Sequence, residues 1–144
     1  MGSKTLPRRS QVDRRYTWNA ESVFPNVAAW EAEIHAIQDA LAPMAGHAGT
    51  VGQGPQRLLE ALQARDDLIA RSDRAMVYAG FLASVDATDS DANAMAGRAR
   101  AVLAEVRAAA SFLFPEVLAV GHARLQAWMT DEPRLAVYRH HFDN

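Results

Sequence analysis

Apolar residues recur at helical spacing through most of this chain. In the stretch FPNVAAWEAEIHAIQDALAPMAG they are separated by alternating steps of three and four residues, which places them on one stripe of a helix. The stripe consists of Val27, Trp30, Ile34, Ile37, Leu41 and Met44. Asn26 is suited to cap the start of this helix, and Gly46 and Gly49 are suited to end it.

The same reasoning predicts two longer helices downstream. Pro55, after Gly54, is typical of a first helical position, and the apolar pattern from there to Asp86 predicts a helix of about 30 residues. Its apolar positions are Leu58, Leu62, Ile69, Met76, Tyr78, Phe81, Leu82 and Val85. Gly80 within it is expected to mark a close contact or a slight bend. After the turn DATDSD, Asp89 or Ser90 would cap a third helix. The shared face of that helix is Met95, Val102, Val106, Ala109 and Leu113.

Shorter helices are predicted beyond this point. Pro115 is expected to end or kink the third helix at Phe114, with a short segment restarting through Val120. A short turn carries Leu125, Trp128 and Met129, and Asp131-Glu132-Pro133 is expected to open a last helix. The apolar stripe of that helix is Leu135, Tyr138 and Phe142.

The predicted fold is therefore all-α, a bundle of two or three long antiparallel helices plus short C-terminal helices. No stretch alternates apolar and polar residues over the length of a strand. The helical domain is expected to span residues 23–144. Residues 1–22 are predicted to form an extended arm anchored by Tyr16 and Trp18, and an alternative is a basic tether for an acidic partner. The charges behind this alternative are Lys4, Arg8, Arg9, Arg14 and Arg15, against Asp13 and Glu21.

Composition narrows the classes of function. The formal net charge of −2 supplies no positive field for a nucleic-acid backbone. The absence of cysteine excludes disulfides, thiolate zinc sites and cysteine nucleophiles. No apolar run approaches the roughly 18–20 residues that span a bilayer, and the first 25 residues lack the apolar core of a signal peptide. We therefore predict a cytoplasmic protein without nucleic-acid or membrane partners.

Histidine offers the first candidate for a metal site. His140 and His141 are adjacent, so on a helix they point about 100° apart and cannot both bind one ion. His35 has helical i,i+4 spacing to Glu31 and Asp39, but two ligands on an exposed face bind metal weakly. The zinc-peptidase motif HExxH is absent, and no glutamate is followed three residues later by histidine, which excludes a di-iron bundle site.

Two loops are candidates for ion or phosphate binding. Asp89, Asp91 and Asn93 match the first ligand positions of a calcium loop, but Ala94 and Arg100 replace its required glycine and glutamate. Helix capping explains these residues better. The loop from Gly46 to Gly54 lacks the lysine and preceding strand of a phosphate-binding loop, which favours a plain connector. No catalytic, cofactor-binding or metal-binding residue is therefore predicted in this chain.

One colinear set of motifs resembles a known family. The stretch LPRRSQVDRRYTWNAESVFPNVAAWEAEI resembles the start of the oligoendopeptidase F family of zinc metallopeptidases. The stretches VYAGFLASVDATDSDANAMAGRA, ASFLFPEVL and PRLAVYRHHF are similar to later parts of the same N-terminal region. These motifs consist of helix caps and core aromatic residues, and in this order and spacing they cover nearly the whole chain.

The resemblance implies that this chain is the N-terminal helical region of a much longer enzyme. In that family the HExxH helix and the third zinc ligand lie downstream, so the catalytic domain and its zinc are expected outside this chain. The N-terminal region would pack on that domain and help enclose a cavity for short peptides, and the 144 residues alone would be inactive.

Two alternatives remain open at this point. The chain could be a stand-alone helical module for protein interaction. It could also self-associate through late aromatic residues left exposed, namely Phe112, Phe114, Trp128 and Tyr138.

Overall fold

The part of the chain that the structure describes is mainly helical, with no strand between residues 11 and 142. A computed structural model describes these residues. Its α-helices are α1 (Val27–Asp39), α2 (Leu41–Ala45), α3 (Pro55–Val85), α4 (Ser90–Ala109), α5 (Leu113–Val120), α6 (His122–Asp131) and α7 (Arg139–Phe142). Short 3-10 helices lie at Arg14–Tyr16, Ala20–Ser22, Val51–Gln53 and Pro133–Tyr138. The all-α prediction is confirmed.

The predicted first helix is split in two. Asn26 caps α1 as expected, with its side-chain oxygen accepting the Ala29 N–H at 2.9 Å. The helix ends at Asp39 because Pro43 has no N–H to donate to the Asp39 carbonyl, and its ring crowds that carbonyl. The chain restarts as α2, in which Pro43 lies in the first turn and needs no helical partner. Most of the predicted stripe is buried, but Val27 is 45% exposed.

Helices α3 and α4 form the largest packing unit. Pro55 begins α3, as the sequence predicts, and only residues 86–89 separate the two helices, so they run antiparallel. Asp89 caps α4 by accepting N–H groups from Asp91 and Ala92, both at 3.0 Å. Small buried residues line both helices, which lets the backbones approach: Ala75 and Ala79 on α3, and Ala92, Ala96 and Ala99 on α4. A Cβ added at Gly80 would have no atom within 4 Å apart from its own stretch of helix, so the expected close contact is absent.

The C-terminal third differs from the prediction in two places. Helix α4 ends at Ala109 and not at Phe114, and Pro115 lies in the first turn of α5, where a missing N–H has no cost. Asp131 ends α6 instead of opening the last helix, and Glu132 caps the following 3-10 helix by accepting the Arg134 N–H. Gly121 makes the sharp junction between α5 and α6 with φ of +84°, a value that favours glycine.

Residues 11–25 lead into the bundle through two 3-10 turns and not through continuous extended backbone. Phe24 is buried and its ring makes an edge contact with Tyr78, so the core begins before α1. The predictions for residues 1–10 lie outside the described residues, and the boundary between an arm and a helical domain at residue 22 stays a prediction.

One continuous core joins all of the α-helices. Trp30, Ile34 and Ile37 of α1 are almost fully buried against Leu58 and Leu59 of α3 and the other members of this core. Trp30 also donates its indole N–H to the Ala75 carbonyl of α3 at 2.9 Å. No helix of the described chain is both long enough and apolar enough to cross a membrane.

Candidate interaction surfaces

The paired histidines lie on the surface. His140 and His141 are both exposed on α7, with ring centroids 6.4 Å apart and planes tilted by 56°. Between residues 11 and 142, no three histidine, aspartate or glutamate side chains cluster closely enough to hold a metal ion. The described residues therefore offer no site for a zinc ion, which the resemblance implies for a catalytic domain outside this chain.

Glu31, the candidate partner of His35, has a structural role. Both of its carboxylate oxygens accept hydrogen bonds from the Arg98 guanidinium, at 2.6 and 2.7 Å. These bonds hold the pKa of Glu31 below its ordinary value. Arg98 also lies over the Trp30 ring, 5.3 Å from its centroid. The pair ties α1 to α4, and it occupies the carboxylate that a metal ion would need.

The glycine-rich loop is a connector held against α5. Gly49 donates its N–H to a Glu116 carboxylate oxygen at 2.6 Å, and Val51 is fully buried beneath the loop. A cavity of about 350 Å³ lies between the loop and the α5–α6 segment, lined in part by Glu116 and Arg124. Because the Glu116 carboxylate already accepts the Gly49 N–H, this backbone donor is not free to bind an anion.

Apolar side chains are exposed on α5. Phe114 and Leu118 lie one helical turn apart and are 65% and 59% exposed, and we call this pair the α5 ridge. Next to the ridge is a cavity of about 340 Å³, which we call the terminal groove. It is lined by Val117, Leu118, Gly121, His122, Leu125, His141 and Phe142, none of which is acidic or a lysine or arginine.

A second exposed apolar region lies on α3. Val77 and Val85 are 44% and 39% exposed, and Phe81 lies between them at helical spacing. Trp18 stacks on the Phe81 ring with centroids 5.5 Å apart and planes within 13°. This contact attaches the N-terminal segment to α3, in agreement with the predicted anchoring role of Trp18. Tyr16, the other predicted anchor, is 74% exposed.

The expectation that four late aromatic residues are exposed is wrong for two of them. Trp128 and Tyr138 are 8% and 7% exposed because α6 and the 3-10 helix Pro133–Tyr138 fold back onto the core. The Tyr138 hydroxyl donates to a carboxylate oxygen of Asp66 at 2.7 Å, which fixes this segment to α3. Phe112 is partly buried, and Phe114 alone of the four is largely exposed.

Comparison with known proteins shows what the chain is similar to. No protein-family model matches it. Oligopeptidase PepF of Bacillus subtilis (strain 168) is 27% identical over 135 residues, which are 94% of this chain and 20% of that protein. Group B oligopeptidase PepB of Streptococcus agalactiae serotype III (strain NEM316) is 28% identical over 135 residues, or 94% of this chain and 22% of that protein.

The fold is also found in a solved structure. The crystal structure of oligoendopeptidase-F from Enterococcus faecium superimposes with a TM-score of 0.73 and 24% sequence identity. The match covers 82% of this chain and 23% of that one. The chain thus spans about one fifth of the length of the relatives that it matches. The resemblance to oligoendopeptidase F proteins that the motifs predict is confirmed in sequence and in fold over most of this chain.

Proposed function

We propose that this chain is the N-terminal helical region of a longer oligoendopeptidase F-like metallopeptidase that hydrolyses short peptides. The observation that carries the proposal is the match to oligopeptidase PepF over 94% of this chain but only 20% of PepF. A segment that matches nearly end to end, yet accounts for a fifth of an enzyme, behaves as one of its structural regions.

The segment helps to enclose the substrate cavity and does not cleave the peptide bond. Two observations support this division of roles. The 144-residue sequence contains no HExxH, and residues 11–142 bring no three metal ligands together. The zinc ion, which would activate water for hydrolysis, is therefore expected on residues of the catalytic domain.

The partners follow from the same proposal. The main partner is the enzyme's own C-terminal catalytic domain, and short peptides are the substrates of the whole protein. The net charge of −2 gives no reason to add nucleic acid. We expect the enzyme to act in the cytoplasm.

A direct test is peptide hydrolysis by the purified 144-residue protein. With an internally quenched short peptide, we expect no hydrolysis above the buffer blank, with or without added zinc. Zinc-dependent hydrolysis that a chelator abolishes would refute the proposed division of roles. PepF of Bacillus subtilis, assayed beside it, is the positive control for the peptide and the buffer.

A chimera tests the structural role. The segment of PepF that aligns with this chain would be replaced by residues 1–144, and a PepF lacking the segment would serve as the control. We expect the chimera to retain hydrolysis of short peptides and the deletion to lose it. A chimera that folds but is no more active than the deletion would contradict the role.

The second candidate is a stand-alone helical module for protein interaction. Its support is the core itself, in which Trp30, Leu58 and Leu135 are fully buried without any further domain. The two candidates differ in the gene. A reading frame that continues past Asn144 for several hundred codons and encodes HExxH supports the peptidase, and a stop codon after Asn144 supports the module.

A further inference from the structure

Helix α5 is apolar on both of its faces. Leu113 and Val117 are buried in the core, whereas Phe114 and Leu118, about 100° further round the helix, form the exposed α5 ridge. The one charged residue of the helix is Glu116, and its carboxylate turns to the Gly49 N–H. A helix that is apolar all round is typical of one buried on all sides. The outer face of α5 therefore has the composition of an interface.

The terminal groove extends this face toward the end of α7. His122 and Leu125 of α6 form one side, and His141 and Phe142 of α7 form the other. The Phe142 carbonyl lies 3.4 Å from the His122 ring nitrogen Nδ1, which holds the end of α7 beside α6. The lining carries no carboxylate, lysine or arginine, so the groove suits an uncharged apolar surface.

The place of the terminal groove at the end of α7 indicates which part of the longer protein covers it. In a protein of PepF length about four fifths of the polypeptide lies outside the matched segment. Polypeptide that follows Phe142 begins at the groove, which gives it a high effective concentration there. We propose that the α5 ridge and the terminal groove together are the docking surface for the catalytic part of the longer peptidase, which covers them with an apolar helix or loop. This inference rests on the proposed function.

The absence of cysteine permits a clean accessibility test. Leu118→Cys places one thiol on the ridge, and Val77→Cys places a matched thiol on the exposed part of α3. Each variant is prepared both as the 144-residue protein and as the full-length gene product. The rate of its reaction with a thiol reagent is measured, and the rate of the corresponding parent protein is subtracted. We expect the Leu118→Cys thiol to react at least about tenfold more slowly in the full-length product, since thiol reactivity depends on access. We expect a smaller change at the Val77→Cys thiol.

Stability provides a second readout. The double variant Phe114→Ser, Leu118→Ser is expected to leave the thermal midpoint of the 144-residue protein within about 1 °C, because both side chains are exposed there. In the full-length product the same change should lower the midpoint of the transition by more than about 3 °C.

The outcomes separate this inference from the function on which it rests. A full-length peptidase in which the Leu118→Cys and Val77→Cys thiols slow equally, or do not slow at all, overturns the docking surface but not the proposed function. A reading frame that stops after Asn144 overturns both. A Leu118→Cys thiol that becomes less reactive as the 144-residue protein is concentrated assigns the ridge to a second copy of this chain and also overturns the inference.

Discussion

Trp30 links three helices, and its replacement by phenylalanine gives the sharpest test of how the bundle is held together. The side chain is completely buried on α1, donates its indole N–H to the Ala75 carbonyl of α3, and lies beneath the Arg98 guanidinium of α4. Trp30→Phe keeps an aromatic ring in the core. It removes the donor and leaves a small void where the second ring was.

The loss of stability expected for Trp30→Phe is the sum of three contributions. Loss of the 2.9 Å hydrogen bond costs about 1 kcal/mol. A void of roughly 40 Å³, at about 24 cal/mol per Å³, adds about 1 kcal/mol. The weaker contact between Arg98 and the smaller ring adds up to about 0.5 kcal/mol. We therefore expect the free energy of unfolding to fall by about 2–2.5 kcal/mol.

Urea unfolding followed by far-ultraviolet circular dichroism measures this change without using tryptophan fluorescence. With a urea m-value of about 2 kcal/mol per M, the midpoint should fall by roughly 1 M. Trp18→Phe is the matched control, because it is the same substitution at a side chain that is 67% exposed, and we expect a loss below about 0.5 kcal/mol. Equal losses in the two variants would refute the assignment of Trp30 as the link between the helices.

Three further predictions concern single polar contacts. Tyr138→Phe removes the bond to Asp66 and should lower the free energy of unfolding by about 1–2 kcal/mol at pH 7. Burial, followed by the bond to Asp66, raises the pKa of Tyr138 from 10.0 to about 12, so this stabilisation is present below pH 10 and is lost as the pH rises through 12. This prediction is wrong if the parent protein and Tyr138→Phe differ in free energy of unfolding as much at pH 12 as at pH 7. Arg134→Gln should return the pKa of Glu132 from about 2 toward 4.5, because the guanidinium donates to that carboxylate, and an NMR titration that still gives about 2 would exclude this cause. Asp89→Ala should lower the free energy of unfolding, measured by urea titration, by about 1 kcal/mol, because it removes the cap of α4. Asp89→Ser keeps a capping oxygen and should retain most of this stability. Equal losses in the two variants would show that the cap is unimportant.

Much of the helical architecture could be predicted because it depends on residues close together in the chain. Asn26 and Asp89 cap helices through bonds to N–H groups two or three residues away, and Pro55 begins α3 for an equally local reason. The break at Ala40 was equally local, and the signal that could have predicted it was Pro43, four residues after Asp39.

The candidate surfaces were less predictable from the sequence. Phe112, Phe114, Trp128 and Tyr138 form a group of late aromatic residues that could be left exposed, yet the sequence could not separate the exposed Phe114 from the buried Trp128. Spacing made Glu31 a possible metal ligand, but its carboxylate is hydrogen-bonded to Arg98, 67 residues away in the chain. Neither outcome follows from spacing along one helix.

The sequence alone predicted the all-α fold, the first residues of α1, α3 and α4, and many of the apolar side chains that share a face. It also determined that this chain carries no HExxH and resembles one region of a longer peptidase. Helix packing decides which of these faces are covered. It buried Tyr138 through a bond to Asp66 and left the α5 ridge exposed beside the terminal groove. Burial is a property of pairs of elements, because the contacts that create it join residues far apart in the chain.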